Sequence, residues 1–456
     1  MSLHVSSAFT TAKICPRIAS STVFRLGGNV ADVNVDRRHL LHGIAAGVGV
    51  VAAANVSKAE QRISSVANRE GSFPGGAAAS QAPLPKTFRQ WIYAKPMQNG
   101  RITLEQFAVK ELPMPEPQEG QALVRIKLVG IHPRVRQSMS ANGSLKPGES
   151  EPNFACAEVI KSRDPSFKEG DIIACQSGWQ EFALVSSKDG AMHGYGPAPE
   201  SVKELNRSNS QWTYVFRPSM VREFAPEDLI GLCGTTGLTG YFGVRQVGPL
   251  MPGDAVASAA STGATGSICG QLAKIAGCYV VGFAGGPEKC KWAAEELGFD
   301  KCIDYRARDL EDQVKAAFPK GIDVFLDGVA GEVRAAVLKV MNPNSRMLNY
   351  GSSSFYYGDS PVALQSSRPG TAQRALFGVT EDDMRIFKQK NIKVESWIVH
   401  DFYYDRITAE NELTRMVRSK QLKPINTVYE GFEKLPEAII SAFSGSRYGK
   451  LSVRFS

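Results

Sequence analysis

The chain has 456 residues, 43% hydrophobic and 21% charged, an ordinary globular composition with length enough for two or three domains of ~100–200 residues. Its formal net charge is +8, but positions 1–86 hold nine lysines and arginines against four acids, leaving a surplus of only three from Thr87 onward. With no long basic run and no basic–aromatic stripe, that distribution argues against nucleic acid as a partner. None of the eight cysteines forms a C-x-x-C pair and several sit in apolar stretches, so they read as reduced, buried thiols and not as a disulfide framework or metal site.

Residues 1–86 read as a targeting segment and linker. The stretch from Met1 to Ala31 contains no acid and is rich in Ser, Thr and Ala, with Lys13, Arg17 and Arg25 scattered through it, the composition of an organellar transit peptide. Arg37-Arg38, the apolar run Gly43 to Ala54 and Ser57-Lys58-Ala59 then resemble a second, twin-arginine signal. That run falls well short of the ~20 residues a spanning helix needs, so no stable membrane span is expected. A Gly/Ala/Ser/Pro-rich linker follows over residues 60–86. The expected destination is the plastid, with the subcompartment open and the mitochondrion as the alternative.

From Thr87 the pattern becomes strand-like. Ala122–Val129, Asp171–Ala174 and Glu181–Val185 are short β-type runs bounded by Gly, Pro and Asp, which predicts a β-rich domain over 87–227. A segment of about 20 residues near Gly194–Pro218 interrupts it. Over 228–400 strands and helices alternate. Strands are expected at Ala255–Ala260, Tyr279–Ala284, Lys301–Tyr305 and Val324–Leu326, with helices at Ser267–Ala276, Pro287–Leu297 and Leu310–Phe318. This spacing predicts an α/β, doubly wound parallel sheet of Rossmann type, because parallel strands need crossover helices. Residues 401–456 are expected to return to the first domain.

The segment Ala259–Ser267, AASTGATGS, lies after a strand and at the head of a helix. Small residues at Ala260, Gly263 and Gly266 let the backbone approach a pyrophosphate, and the helix N-terminus at Ala264 and Thr265 supplies unpaired N–H groups. The second strand ends at Gly285 with no acid to bind a ribose 2′-hydroxyl, and Lys289 follows, a combination that selects NADP over NAD.

The segments GLTGYFG (237–243), PGDAV (252–256), AASTGATGS, EKCKWAAEELGFD (288–300) and the tail FSGSRYGKLSVRF resemble the zinc-independent alkenal/one oxidoreductases. This is the branch of the medium-chain dehydrogenase/reductase superfamily that includes prostaglandin reductases and curcumin reductases, and the likeness runs from about Thr87 to Ser456. It implies a GroES-like catalytic domain, a Rossmann domain, NADPH, and reduction of carbon–carbon double bonds conjugated to a carbonyl in small enal or enone substrates. By position Lys289 matches the 2′-phosphate lysine, Tyr305 a tyrosine of the same pocket, and Tyr356, reached through Gly351, the tyrosine beside the nicotinamide. Zinc-ligand positions are filled by Ile131 or His132 and by Asn153-Phe154-Ala155, so no metal is expected, and His132 and His400 read as packing or hydrogen-bonding histidines.

Several positions depart from the family. His132-Pro133-Arg134-Val135-Arg136 stands for D-P-Y-M-R, Asp327-Gly328-Val329-Ala330-Gly331 for E-N-V-G-G, and Arg447 for an asparagine. These bear on substrate more than on cofactor. Without a metal, Tyr356 and the cofactor's ribose hydroxyl are expected to stabilise the enolate. A quinone reductase on the same fold and an inactive NADP-binding partner protein stay open as alternatives, and whether two copies pair as a homodimer is not decided by sequence.

Overall fold

The computed structural model describes residues 83–97, 101–140, 143–188, 213–356, 376, 378–443, 445 and 447–455. Nearly all of the proposed targeting segment, and most of the insertion near Gly194–Pro218, lie outside the described residues.

Strands β1 (Thr87–Tyr93) and β2 (Phe107–Pro113) pair antiparallel as a two-stranded sheet. The next five, β3 (Ala122–Gly130), β4 (Asn153–Ser162), β5 (Ile172–Ser177), β6 (Phe182–Val185) and β7 (Tyr214–Val215), belong to a second sheet. Then come β8 (Ala255–Ser258), β9 (Tyr279–Ala284), β10 (Lys301–Asp304), β11 (Ile322–Asp327), β12 (Met341–Asn349) and β13 (Lys393–Ser396), a six-stranded sheet in the order β10-β9-β8-β11-β12-β13. Every registered pair in it is parallel. Finally β14 (Asn426–Glu430) and β15 (Lys450–Arg454) join the second sheet, β15 lying antiparallel to β3. The C-terminal strands thus complete the β-rich sheet that the chain began with β3. Helices α1 (Ala264–Ile275), α2 (Pro287–Leu297), α3 (Leu310–Ala317) and α4 (Gly331–Val340) make the four crossovers from β8 to β12, and a further helix, Glu381–Lys390, precedes β13.

Side-chain alternation shows why that sheet is covered on both faces. Val256, Val280, Val324, Leu326 and Leu348 enter one core, with Ile268, Leu272, Trp397 and Leu413. Their neighbours Ala257, Val281, Phe283, Phe325 and Met347 enter another, with Val314, Val333 and Val337. Period-two alternation with both sides apolar is what a doubly wound sheet requires. A separate core fills the β-rich sheet, built on Val124, Ile126, Ala157, Ile173 and Val453.

The strand order reverses between β8 and β11. From β8 the chain winds outward to β10, then restarts at β11 and winds the other way. Ligands of open α/β sheets bind at the carboxyl ends of the strands beside such a switch point.

Candidate active site

Every described residue expected from sequence to touch cofactor lies at the carboxyl ends of these strands. Ala260 follows β8, Gly285 follows β9, Tyr305 follows β10 and Gly351 follows β12, while Gly263, Ala264, Thr265 and Gly266 open α1 and Lys289 lies in the first turns of α2. Tyr356 closes a short 3-10 turn over Ser353–Tyr356, and its side chain lies outside the described residues.

The β8–α1 loop is built for close approach. Ala260 adopts φ +50°, a left-handed conformation costing a non-glycine residue about 1–2 kcal/mol. This turn brings Ala260 O to Gly263 N at 2.8 Å. A Cβ on Gly266 would fall 2.3 Å from Ala260 O, so only glycine lets the helix start this near the turn. Ser261 anchors the loop to the next strand: its Oγ donates to Ser258 O (2.7 Å) and accepts from Phe283 N (2.7 Å). The first i→i−4 bond of α1 is Ser267 N to Gly263 O at 3.0 Å, which leaves the N–H groups of Ala264, Thr265 and Gly266 without helical acceptors. Together these make an anion-accepting helix N-terminus.

At the end of β9 three cations converge. Lys289 Nζ donates to Arg447 O at 2.7 Å and lies 4.9 Å from the Tyr448 ring centre. Burial, with Arg447 and Arg306 nearby, lowers its pKa to about 8. A Cβ on Gly285 would come within 2.8 Å of Tyr305 Oη and 3.0 Å of Arg306 Nε, so this glycine leaves the space over which the hydroxyl and guanidinium lie. One carboxylate is close, but Asp304 is spent on structure: its Oδ1 accepts from Gly286 N (2.9 Å) and Arg306 N (3.1 Å). Arg306 was not singled out from sequence, although it directly follows Tyr305.

The β11 and β12 loops interlock beside this pocket. Asp327 Oδ1 accepts from Val329 N and Ala330 N, both at 2.9 Å, while Arg334 Nε donates to Oδ2 at 2.6 Å. Arg334 also reaches Asp383 Oδ2 at 3.2 Å, so a fully buried arginine bridges two carboxylates. The departure at Gly328 has a steric cause. A Cβ there would lie 2.3 Å from the Tyr350 ring, which occupies the space where the family motif carries asparagine. Gly351 is similarly confined, its would-be Cβ 3.0 Å from Gly328 O.

The β-rich domain contributes the other wall. Gly449 N donates to Thr262 O at 2.7 Å, joining the segment before β15 to the phosphate-type loop. The next residue, Lys450, is 3% exposed. Its Nζ donates to Ile131 O at 3.0 Å and stands 3.3 Å from His132 Nε2. Burial and Arg447 pull the Lys450 pKa down to about 7. His132 is held well below its usual pKa by burial and by Lys450, Arg134 and Arg447, so the ring is neutral. It lines a cleft of about 370 Å³ together with Arg134, Ser138, Leu145, Glu151 and Asn153. Burial pushes the Glu151 carboxyl up to about 7 despite Arg134 and a Ser138 hydroxyl donating at 3.3 Å. Phe154 and Ala155 are core residues of β4, and among the described residues no group of three or more His, Cys, Asp or Glu is placed to hold a metal ion.

A family model described as the N-terminal domain of oxidoreductase matches residues 89–193, and one described as zinc-binding dehydrogenase matches 264–390. The NADPH-dependent curcumin reductase of Escherichia coli K12 is 30% identical over 371 residues, covering 80% of this chain and 96% of that protein. The chain belongs to the zinc-independent branch of the medium-chain dehydrogenase/reductase superfamily. Bovine prostaglandin reductase 1 is 28% identical over 78% of this medium-chain superfamily member and 95% of its own length. The crystal structure of CurA from Vibrio vulnificus in complex with NADPH is 28% identical, with a TM-score of 0.65, covering 81% of this chain and 99% of the other.

Proposed function

We propose that this chain is an NADPH-dependent reductase of carbon–carbon double bonds conjugated to a carbonyl, acting on small enals and enones. The observation that carries the cofactor is the cluster of Lys289, Arg306 and Arg447 beyond the end of β9, with Arg306 against Gly285, which suits an adenosine 2′-phosphate. Gly263, Ala264, Thr265 and Gly266 suit the pyrophosphate, since small side chains meet there with the first N–H groups of α1, which have no helical acceptor. Relatives named for curcumin and prostaglandin reduction support the reaction class. NADPH, when bound, supplies a hydride to the β-carbon of the substrate.

The chain's own work is to hold the substrate in the cleft lined by His132, Arg134 and Glu151 and to stabilise charge at the carbonyl oxygen. We assign Tyr356 as the hydroxyl donor to that oxygen. Tyr356→Phe is expected to lower turnover by about 10- to 1,000-fold, the range for losing one oxyanion donor. The test of the whole reading is a panel of 2-alkenals, enones and quinones, with NADPH oxidation followed by absorbance. Turnover confined to quinones overturns the substrate class, and no turnover favours a non-catalytic NADP-binding protein. We further propose a plastid destination, supported by the acid-free, Ser/Thr/Ala-rich stretch from Met1 to Ala31. A mature N-terminus between about positions 55 and 90 on organelle-purified protein supports it, and an intact Met1 refutes it.

A further inference from the structure

Among the described residues no acidic side chain pairs with the buried Lys450, and that needs an explanation. The partners of the Lys450 ammonium are a backbone carbonyl and a ring nitrogen, neither of which compensates the desolvation of a full charge. An apolar side chain would fill the same space without that cost. The lysine also sits at a particular place, one residue beyond the contact between Gly449 and Thr262 of the phosphate-type loop, with its amine against a histidine that lines the cleft. His132 itself stands where the family motif has aspartate, so the pair is a feature of this chain.

We propose that His132, backed by Lys450, delivers the proton that completes double-bond reduction at the α-carbon of the substrate. The inference rests on the reading of function given above. The charged Lys450 ammonium can only donate, so its 3.3 Å contact with Nε2 makes that nitrogen the acceptor and puts the proton of the neutral ring on Nδ1. In the step, the electron pair of the enolate forms a C–H bond at the α-carbon while the His132 Nδ1–H bond breaks. Nε2 takes a proton from Lys450 Nζ, and the carbonyl double bond is restored. The lysine is left neutral and recharges from solvent through the cleft once product has gone. A neutral imidazole alone is a poor acid, but the relay makes the ammonium the effective donor. Its pKa of about 7 is near the optimum for acid catalysis at neutral pH.

The groups facing the pair are Arg134 on its own segment, Arg447 on the approach to β15, and Glu151 across the cleft. Both arginines favour a neutral ring, and Arg447 also favours a lysine that releases its proton. Glu151, protonated below about pH 7, is the rival donor, and the test must separate the two.

The experiment uses an enone carrying a 2-methyl group, so that protonation creates a stereocentre, with the parent protein, His132→Asn, Lys450→Met and Glu151→Gln. For the parent, kcat should fall as pH rises through about 7. His132→Asn should lose about 100-fold in kcat, drop this pH limb and give mixed α-stereochemistry, while NADPH affinity and the face of β-attack are kept. Lys450→Met should behave alike, and Glu151→Gln should retain the limb and the stereochemistry. A readout without turnover is the 15N spectrum of His132, which should show the Nδ1–H tautomer in the parent and change as Lys450 titrates near pH 7. Unchanged stereochemistry and pH profile in His132→Asn, or their loss in Glu151→Gln instead, overturn the relay alone. Absence of double-bond reduction by the parent protein overturns the functional reading and this inference with it.

Discussion

Replacing Lys289 with alanine should separate the two nicotinamide cofactors. The ammonium is half-buried, donates to Arg447 O at 2.7 Å, and lies among cations that lower its pKa to about 8. It therefore carries its charge at pH 7 and loses it as pH rises through about 8. A 2′-phosphate brought beside it would push that pKa back up, so NADPH binding should take up a proton near pH 8 and weaken above it. A charge-assisted contact is worth about 1.5–3 kcal/mol, equivalent to roughly 10- to 150-fold in affinity. Arg306 and Arg447 remain in the variant, so a loss towards the lower end, about 10- to 30-fold, is expected for NADPH. NADH has no phosphate there and should change little. Dissociation constants for both cofactors, measured by nicotinamide fluorescence at pH 7 and 9 with parent and variant, check this. An equal loss for both, or an unchanged NADPH affinity, would show that Lys289 is a solvated helix residue and that the phosphate is held elsewhere.

Arg334→Met should be the most destabilising single change near the site, by about 3–5 kcal/mol in denaturant unfolding, because Asp327 and Asp383 are left buried without their counter-charge. A loss under about 1 kcal/mol would show that the pair is compensated otherwise. Gly266→Ala should abolish NADPH binding or folding, as its Cβ would meet Ala260 O at 2.3 Å; tight cofactor binding by this variant would contradict the loop geometry. Glu151→Gln should stabilise the protein above pH 7 and leave it unchanged below about pH 4.5. The folded state keeps the Glu151 proton up to about 7, so its stabilising contribution is lost as pH rises through that value. The gain should reach about 1–3 kcal/mol, and equal unfolding free energies at pH 8 would refute it.

The parallel sheet was legible because its punctuation is local. Tyr279–Ala284 and Pro287–Leu297 have the bounds expected from sequence, being set off by glycines at 277, 285, 286 and 298. Helix α1 begins at Ala264, ahead of the Ser267 expected, because Gly263 in extended conformation serves as its N-cap. Glycine-rich turns carry little hydrophobic periodicity, and that is where the boundary slipped. The pocket cations were half legible: Lys289 stood out against a neutral strand end, while Arg306 was hidden beside Tyr305. The contact of Lys450 with His132 spans 318 positions in the chain, and no local pattern can announce such a meeting. In sequence Gly328 stands out as a departure from the family pattern that bears on substrate more than on cofactor. In three dimensions it is the space the Tyr350 ring requires.

Hydride delivery to a conjugated carbon–carbon bond is tested most directly by the identity of the product. Protein lacking residues 1–86, given NADPH and a 2-alkenal, should yield the saturated aldehyde, identified by mass spectrometry against both standards. Formation of the allylic alcohol would show carbonyl reduction instead and rule out double-bond reduction.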